Sequence, residues 1–201
     1  MGRMKKTALT LLVSTFVCAG TAFASPDKTD VATGTGIGQR IPQFTAQATD
    51  FSAGKPKTVE VDSHKTTHPT IYIFIGTHCP ATAAYAERLV QLEKTYGPKG
   101  VDFVYMYPNN EDTSGVQLTF HDEKKFTGRL IDDHGARLAR LLNAQRTTEL
   151  FLVNKDGVIV YHGAIDDSRD PGAVKERYLT TALDETLVGK PVTTTSSQVS
   201  A

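Results

Sequence analysis

The chain has 201 residues, with 22 lysines and arginines, 22 aspartates and glutamates, and a formal net charge of zero. This balance lacks the basic excess of nucleic-acid-binding proteins and gives no reason to expect binding to an anionic membrane surface. The length fits one domain of about 150 residues with a leader and tails.

Residues 1–24 have the features of a secretory leader rather than of a folded segment. Three basic residues between positions 3 and 6 precede a mostly apolar stretch over residues 8–19, and residues 22–24 give the small-x-small cleavage pattern. The stretch is too short for a membrane span, so we expect an exported chain, periplasmic or secreted, with no membrane attachment after cleavage. Cleavage also removes Cys18, which leaves Cys79 without a partner for an internal disulfide.

The remaining chain divides into a flexible arm at residues 25–37, a folded domain at 38–191 and a flexible tail at 192–201. The arm and the tail are rich in small and polar residues and poor in residues that form cores. A glycine run at residues 34–38 has no strand before it and no helix after it. It therefore indicates a linker rather than a dinucleotide-binding loop.

The first half of the domain contains a hairpin, a buried strand and a long helix. Residues 41–46 and 57–61 flank a turn and predict the hairpin. Residues 70–75 are β-branched and aromatic without polar alternation, which is typical of a central strand covered on both faces. A helix follows from Pro80, with apolar residues at helical spacing as far as Tyr96.

The second half alternates between strands and helices and ends in a hairpin and a helix. The predicted elements are a strand at 101–107, a helix at 112–127, a short strand at 129–131, a helix at 134–142, hairpin strands at 150–153 and 158–161, and a closing helix at 171–188. This order predicts the α/β class, with a mixed central sheet, helices on both faces and an N-terminal β-hairpin extension.

Cys79 lies where the helix at Pro80 begins. A thiol at that point faces free backbone N–H groups and the positive end of the helix dipole, and both favour the thiolate. His78 is a candidate for lowering the thiol pKa or relaying a proton, and Thr82 for donating a hydrogen bond to the thiolate. The alternatives are a core role for Cys79, a solvent-facing histidine and a threonine bonded to the helix backbone.

These residues carry a family resemblance. A buried strand, a short turn, the Cys79-Pro80 pair and a long helix resemble the thioredoxin-fold redoxins, which include thioredoxins, peroxiredoxins and peroxiredoxin-like proteins. The resemblance covers residues 38–191 and implies a thioredoxin-like fold. It also implies a thiol-dependent oxidoreductase with antioxidant activity and a role in cell redox homeostasis.

The chain departs from the redoxin pattern at four places. Thr82 occupies the position of the second thioredoxin cysteine, which excludes a dithiol cycle within one molecule. Thr147 and Thr148 stand where these oxidoreductases carry a cis-proline, so we expect a trans bond there and assign both threonines to substrate binding. Gly76 replaces the threonine that holds peroxide in typical peroxiredoxins. Arg146 lies beside the position of their second peroxide-binding arginine and is the fourth catalytic candidate.

A second resemblance leads to a different class of function. The string Thr77-His78-Cys79-Pro80 is similar to the start of the motif in the copper-delivering Sco proteins, which are also exported. Their second cysteine would fall on Ala83 and their distal histidine near Arg146. Because both ligands are missing, we expect no metal site, and Thr77 is assigned to substrate binding instead.

The preferred hypothesis is an exported oxidoreductase that works with one cysteine. The Cys79 thiolate would attack a peroxide or a disulfide, and a small thiol or a thioredoxin-like reductant would resolve the product. We expect no cofactor, no metal, no nucleic acid and no membrane among its partners. The alternatives are a Sco-like metal-handling module and a redox-inactive thioredoxin-fold scaffold that binds partner proteins.

Overall fold

The computed structural model describes Met1 and residues 33–199. The predicted leader and most of the predicted arm lie outside the described residues. The strands are β1 (Thr45–Asp50), β2 (Lys57–Asp62), β3 (Thr70–Phe74), β4 (Asp102–Tyr107), β5 (Arg129–Asp132), β6 (Leu150–Val153) and β7 (Ile159–Gly163). The helices are α1 (Pro80–Tyr96), α2 (Ser114–Lys124), α3 (Arg137–Leu142) and α4 (Tyr178–Leu187), and short 3₁₀ turns occur at Gly97–Lys99 and Pro171–Ala173.

The strands form one mixed sheet of seven strands in the order β2-β1-β5-β4-β3-β6-β7. β3 pairs in parallel with β4, and β4 with β5. β3 also pairs antiparallel with β6, in a register that sets Ile73 opposite Leu150. The start of β6 therefore lies beside the end of β3, where the chain turns toward α1.

The apolar run of β3 is buried on both faces, as its lack of alternation predicts. On one face Ile71 and Ile73 belong to a core that includes side chains of α1, α2 and α4. On the other face Tyr72 and Phe74 belong to a second core with α3. The predicted α/β class, with helices on both faces of a mixed sheet, is confirmed.

Helix α1 begins and ends where its sequence predicts. Pro80 stands at its first position, where a missing N–H costs nothing, and Tyr85 and Leu89 lie on the face toward the sheet. Leu89 is fully buried, so its replacement by alanine would cost about 2–5 kcal/mol of folding free energy. The sheet thus holds the first turn of α1 in a fixed place.

Two predicted elements begin at least four residues later in the structure than the sequence predicts. The first hairpin strand is β1 and begins only at Thr45, because its register pairs Thr45 with Asp62 and leaves the preceding residues in extended chain. The closing helix does not start at Pro171. Val174 is extended, and the backbone N–H groups of Lys175 and Glu176 donate to the Asp167 carboxylate, so α4 starts at Tyr178.

The two ends of the described region are hydrogen bonded to the domain. The Gly34 N–H donates to the Arg40 carbonyl at 2.9 Å, which joins the last residues of the arm to the domain. The tail runs beside β7, with its Thr195 carbonyl accepting from the His162 N–H at 3.0 Å. The sequence favours a flexible tail, whereas residues 195–197 are paired with the sheet. Among the described residues, no helix combines the length and the apolar character needed to cross a membrane.

Candidate active site

Cys79 is the N-cap residue of α1, directly after the turn that follows β3. Its backbone is extended (φ −81°, ψ 121°), and its carbonyl accepts the first helical hydrogen bond from the Ala83 N–H at 3.1 Å. The side chain is half-buried and is a free thiol. Cys79 therefore lies at the start of the helix, as the Cys79-Pro80 pair predicts.

Hydrogen-bond donors surround the sulfur atom. The Thr147 Oγ1 lies 2.9 Å from the Cys79 Sγ, and the backbone N–H groups of Ala81 and Thr82 also point to it. Burial raises the pKa of the thiol, but these donors stabilise the thiolate more strongly, and the net effect lowers the pKa of Cys79. The site is thus arranged to hold a sulfur anion.

Thr82 contacts the thiol from the buried side of the site. It is fully buried, and its hydroxyl accepts a hydrogen bond from the Gly76 N–H at 3.2 Å while also contributing to the lowered pKa of Cys79. A hydroxyl can accept one bond and donate another, so Thr82 can serve both groups. It occupies the place of a second redox cysteine and acts there as a hydrogen-bonding group.

The loop that carries Thr147 is held by a buried carboxylate. One oxygen of Glu149 accepts from the backbone N–H groups of Gln145 (2.7 Å) and Arg146 (3.0 Å). The other oxygen lies 2.6 Å from the Nε2 of His162, whose ring stacks on Phe151. Burial raises the pKa of Glu149, but the His162 contact and the two N–H donors lower it by more. The net effect lowers the pKa, so the carboxylate is ionised in the folded chain.

Thr148 joins this loop to the end of β3. Its N–H donates to the Phe74 carbonyl at 2.6 Å, and its φ of +66° is unfavourable for a β-branched residue. No peptide bond among the described residues is cis, so the expected trans bond between Thr147 and Thr148 is confirmed. Thr148 is 1% exposed and its side chain is not available at the surface, whereas Thr147 reaches the thiol.

The turn residues Thr77 and His78 belong to a different cluster. The buried Asp112 accepts hydrogen bonds from the Thr77 N–H at 3.0 Å and from the Thr77 hydroxyl. Its carboxylate also lies 3.2 Å from the Nδ1 of His78, whose side chain is 75% exposed. Burial raises the pKa of Asp112, but the bonds from Thr77, Asn109 and His78 lower it overall. The cluster fixes the turn before Cys79, and no hydrogen bond joins it to the sulfur.

The thiol opens into a cleft of about 450 Å³. Its lining residues are Cys79, Pro80, Ala81, Gln145, Arg146, Thr147 and Arg169. Arg146 is exposed and donates from its Nη1 to the Val199 carbonyl of the tail at 3.2 Å. The structure therefore brings Arg146 to the cleft of the thiol, although it gives the arginine no hydrogen bond to the sulfur.

Three residues of this region were missed by the sequence analysis as members of the site. Asp112 fixes the turn, Glu149 holds the Thr147 loop, and Arg169 lines the cleft. Asp112 and Arg169 lie far from Cys79 in the sequence, so no local motif marks them. The one available signal was Glu149, a charged residue directly before an apolar strand.

The site offers no set of metal ligands. In the region that the structure describes, no three His, Cys, Asp or Glu side chains converge to hold an ion. Ala83, which would be the second cysteine of a Sco-like motif, is exposed on the first turn of α1. No observation on these residues favours the Sco-like alternative.

Comparison with known families gives the classification. Residues 37–180 match the family model for redoxins. The chain belongs to the redoxin family. The matched range includes Cys79, the Thr147 loop and β7, so the whole site lies inside the redoxin domain.

Solved structures of other proteins share this fold. An uncharacterised conserved protein from Geobacillus kaustophilus is 27% identical to this redoxin, with a TM-score of 0.69 over 79% of this chain and 86% of the other. A hypothetical protein from Sinorhizobium meliloti 1021 is 24% identical, with a TM-score of 0.65 over 80% and 87% of the two chains.

A third structure has a described activity. A secreted Mycobacterium tuberculosis disulfide oxidoreductase, homologous to E. coli DsbE, is 19% identical, with a TM-score of 0.52 over 71% of this chain and 95% of the other. At that identity the likeness establishes the thioredoxin-like fold. No curated protein matches this redoxin.

Proposed function

We propose that this redoxin is an exported thiol-disulfide oxidoreductase that works with a single cysteine. The observation that carries the proposal is the Cys79 sulfur itself. It is half-buried at the start of α1, lies 2.9 Å from the Thr147 hydroxyl oxygen and opens into a cleft. A thiolate is the reactive form of cysteine. Burial opposes it, but the Thr147 hydroxyl and the backbone N–H groups of Ala81 and Thr82 favour it more strongly.

The reaction has two exchange steps. The Cys79 thiolate attacks one sulfur of a substrate disulfide, forms a mixed disulfide with it and releases the other half as a thiolate. A thiolate from outside the chain then attacks the mixed disulfide, which frees Cys79 and leaves the substrate half bound to the incoming sulfur. The incoming thiol belongs to a small molecule or to a thioredoxin-like protein, because Thr82 stands where an internal second thiol would be.

Peroxide is the alternative oxidant for the same thiolate. Attack on a peroxide would give a sulfenic acid at Cys79 and release the other oxygen as water or an alcohol. Gly76, at the position of the peroxide-holding threonine of typical peroxiredoxins, has no hydroxyl group that could hold a peroxide. We therefore place disulfide exchange first.

The test uses the full chain with Cys18→Ser, so that Cys79 is the sole thiol. The reduced protein is exposed separately to bis(2-hydroxyethyl) disulfide and to one equivalent of hydrogen peroxide, and the products are read by intact mass. We expect a mixed disulfide that a small thiol reverses, formed faster than the peroxide product.

Cys79→Ser is the control and should give neither product, because serine is well tolerated at a helix N-cap. If peroxide gives the faster reaction, the peroxidase alternative replaces disulfide exchange. If the folded protein reacts with neither reagent, the thiol is structural and the oxidoreductase proposal is wrong.

A further inference from the structure

The cleft beside Cys79 has an uneven charge. Its two charged lining side chains are Arg146 and Arg169, and none of its lining residues is acidic. The whole chain has equal numbers of basic and acidic residues, so this local excess is not a general property of the surface. The cleft is therefore an electropositive surface around a reactive sulfur.

Three carboxylates of the surrounding loops contact groups other than the Arg146 side chain. Glu149 accepts from backbone N–H groups and contacts His162, and Asp166 pairs with Arg88 on α1. Asp170 accepts from the Gly172 N–H in the following turn. Helix α1 has no acidic residue in its first turn, so the positive end of its dipole is uncompensated at the cleft.

Both arginines come from loops that the fold holds in place. The backbone of Arg146 is tied to the Glu149 carboxylate. Arg88 donates to the backbone carbonyls of Ser168 and Arg169, each at 2.7 Å, which fastens the second loop to α1. A guanidinium has five N–H donors, so Arg146 keeps donors beyond the one that it gives to Val199.

We propose that this cleft selects thiols and disulfides that carry carboxylate groups near the sulfur. The inference rests on the proposed function and specifies its substrate class. A carboxylate is the natural partner of a guanidinium in both charge and planar shape. The thiolate attacks the disulfide of such a substrate while the arginines hold a carboxylate of the substrate. That carboxylate belongs either to the half that becomes bound to Cys79 or to the half that is released as a thiolate.

The experiment compares three aliphatic disulfides that differ in charge: 3,3′-dithiodipropionate (anionic), bis(2-hydroxyethyl) disulfide (neutral) and cystamine (cationic). Rates of mixed-disulfide formation are measured on the reduced Cys18→Ser chain at low and high salt. Exposed charge pairs contribute modestly, so we expect removal of both arginines to slow the anionic disulfide roughly five-fold and the neutral one less than two-fold. The preference for the anionic reagent should shrink at high salt.

The variants are Arg146→Gln and Arg169→Gln, singly and together. Arg140→Gln is the matched control, because Arg140 is also an exposed arginine bonded to a backbone carbonyl but does not line the cleft. Iodoacetate and iodoacetamide give a second comparison of charge on the same sulfur, without an exchange step. Arg146→Lys and Arg169→Lys should retain part of the preference, because they keep the charge and lose the planar contact.

The outcomes separate the two proposals. If Cys79 reacts with all three disulfides and the arginine variants leave their relative rates unchanged, the substrate inference is wrong while the oxidoreductase proposal stands. If Cys79 reacts with none of them, the oxidoreductase proposal fails. A selective loss of the anionic rate in the cleft variants, with Arg140→Gln unchanged, supports the inference.

Discussion

At the scale of single residues, the contact between Thr147 and Cys79 is the centre of the site. The two residues are 68 positions apart in the sequence, and the oxygen and sulfur atoms are 2.9 Å apart in the fold. A hydroxyl that donates to a thiolate stabilises the charged form and has little effect on the neutral thiol. The Thr147 hydroxyl is therefore one of the groups that lower the pKa of the thiol.

The first prediction tests that dependence. Thr147→Val keeps the shape of the side chain and removes the donor, so the pKa of Cys79 should rise. The measurement is the rate of alkylation by iodoacetamide as a function of pH. Thr95→Val is the control, since Thr95 is an exposed threonine near the other end of α1. An unchanged midpoint in Thr147→Val would show that Thr147 does not contribute to the lowered thiol pKa.

At the scale of elements, Glu149 links the end of one strand to the start of another. Its carboxylate sits at the start of β6 and orders the loop at residues 145–148 through two backbone bonds. The same loop bonds to the end of β3 through Thr148. Glu149 thus acts as a positioning residue, since it places Thr147 without touching the sulfur.

The second prediction concerns this carboxylate. Glu149→Gln removes the negative charge that strengthens the bonds of this side chain to backbone N–H groups and His162. The substitution should lower the free energy of unfolding by about 2 kcal/mol. The thiol pKa should rise in the same variant, because Thr147 is held less firmly. Urea unfolding and the alkylation profile measure the two effects. Glu87→Gln, on the exposed face of α1, is the control.

The pH dependence of this effect has a defined sign. The pKa of Glu149 is lowered in the folded chain, so its contribution to stability is present above the unfolded pKa of about 4.3. It is lost as the pH falls through the folded pKa. The stability difference between the wild type and Glu149→Gln should therefore shrink below about pH 4. A difference that stays constant in acid would contradict the assignment of a charged Glu149.

At the scale of the whole molecule, His121 makes the fold sensitive to acid. It is fully buried, its Nδ1 lies 3.2 Å from the Tyr107 hydroxyl, and its Nε2 lies 3.0 Å from the Gly128 carbonyl. Burial lowers the pKa of His121 to about 4, although the bond to Gly128 opposes this shift. The folded chain therefore holds a neutral imidazole between α2 and the sheet.

The third prediction follows from this histidine. The unfolded chain binds a proton near pH 6.5 and the folded chain only near pH 4, so stability should fall as the pH drops through this window. The loss attributable to His121 is about 3 kcal/mol. His121→Phe should be less stable at pH 7 and should lack this part of the acid dependence. His134→Asn, at an exposed histidine, should retain it.

The tail is a second feature of the whole molecule. The Ser197 hydroxyl lies 2.6 Å from the Tyr161 hydroxyl and accepts from the Ala164 N–H at 2.9 Å. The tail thereby covers part of the outer edge of β7, an edge that would otherwise be open to pairing with other chains. Gly163 permits this close approach, because a Cβ atom there would lie 2.5 Å from the Ser197 carbonyl oxygen.

The fourth prediction uses that glycine. Gly163→Ala should displace the tail, speed hydrogen exchange at the amides of His162 and Ser197, and lower the free energy of unfolding by about 1–2 kcal/mol. Gly115→Ala is the matched control, because an added Cβ in α2 meets no atom within 4 Å and should raise helix stability by about 1 kcal/mol. Unchanged exchange rates in Gly163→Ala would show that the tail contributes nothing to the stability of this edge.

The sequence by itself determined the class of fold and the place of the thiol. The apolar run that became β3, the helical spacing from Pro80 to Tyr96 and the Asn154-Lys155-Asp156-Gly157 turn are local patterns, and local patterns determine local structure. The position of Cys79 at the helix start follows from the same patterns. The start of α4 does not follow from the local pattern. The Asp167 carboxylate accepts from the N–H groups of Lys175 and Glu176, and these bonds keep the chain before Tyr178 out of the helix.

Only the tertiary structure decided what surrounds the sulfur. Thr147 reaches Cys79 because β6 is the neighbour of β3 in the sheet, and strand order is not encoded in any short motif. Arg169 reaches the cleft because Arg88 on α1 fastens its loop, and Asp112 fixes the turn before Cys79 because it bonds to Thr77, 35 positions away. Such contacts join residues far apart in the chain, so their partners become visible only once the sheet and helices are packed together.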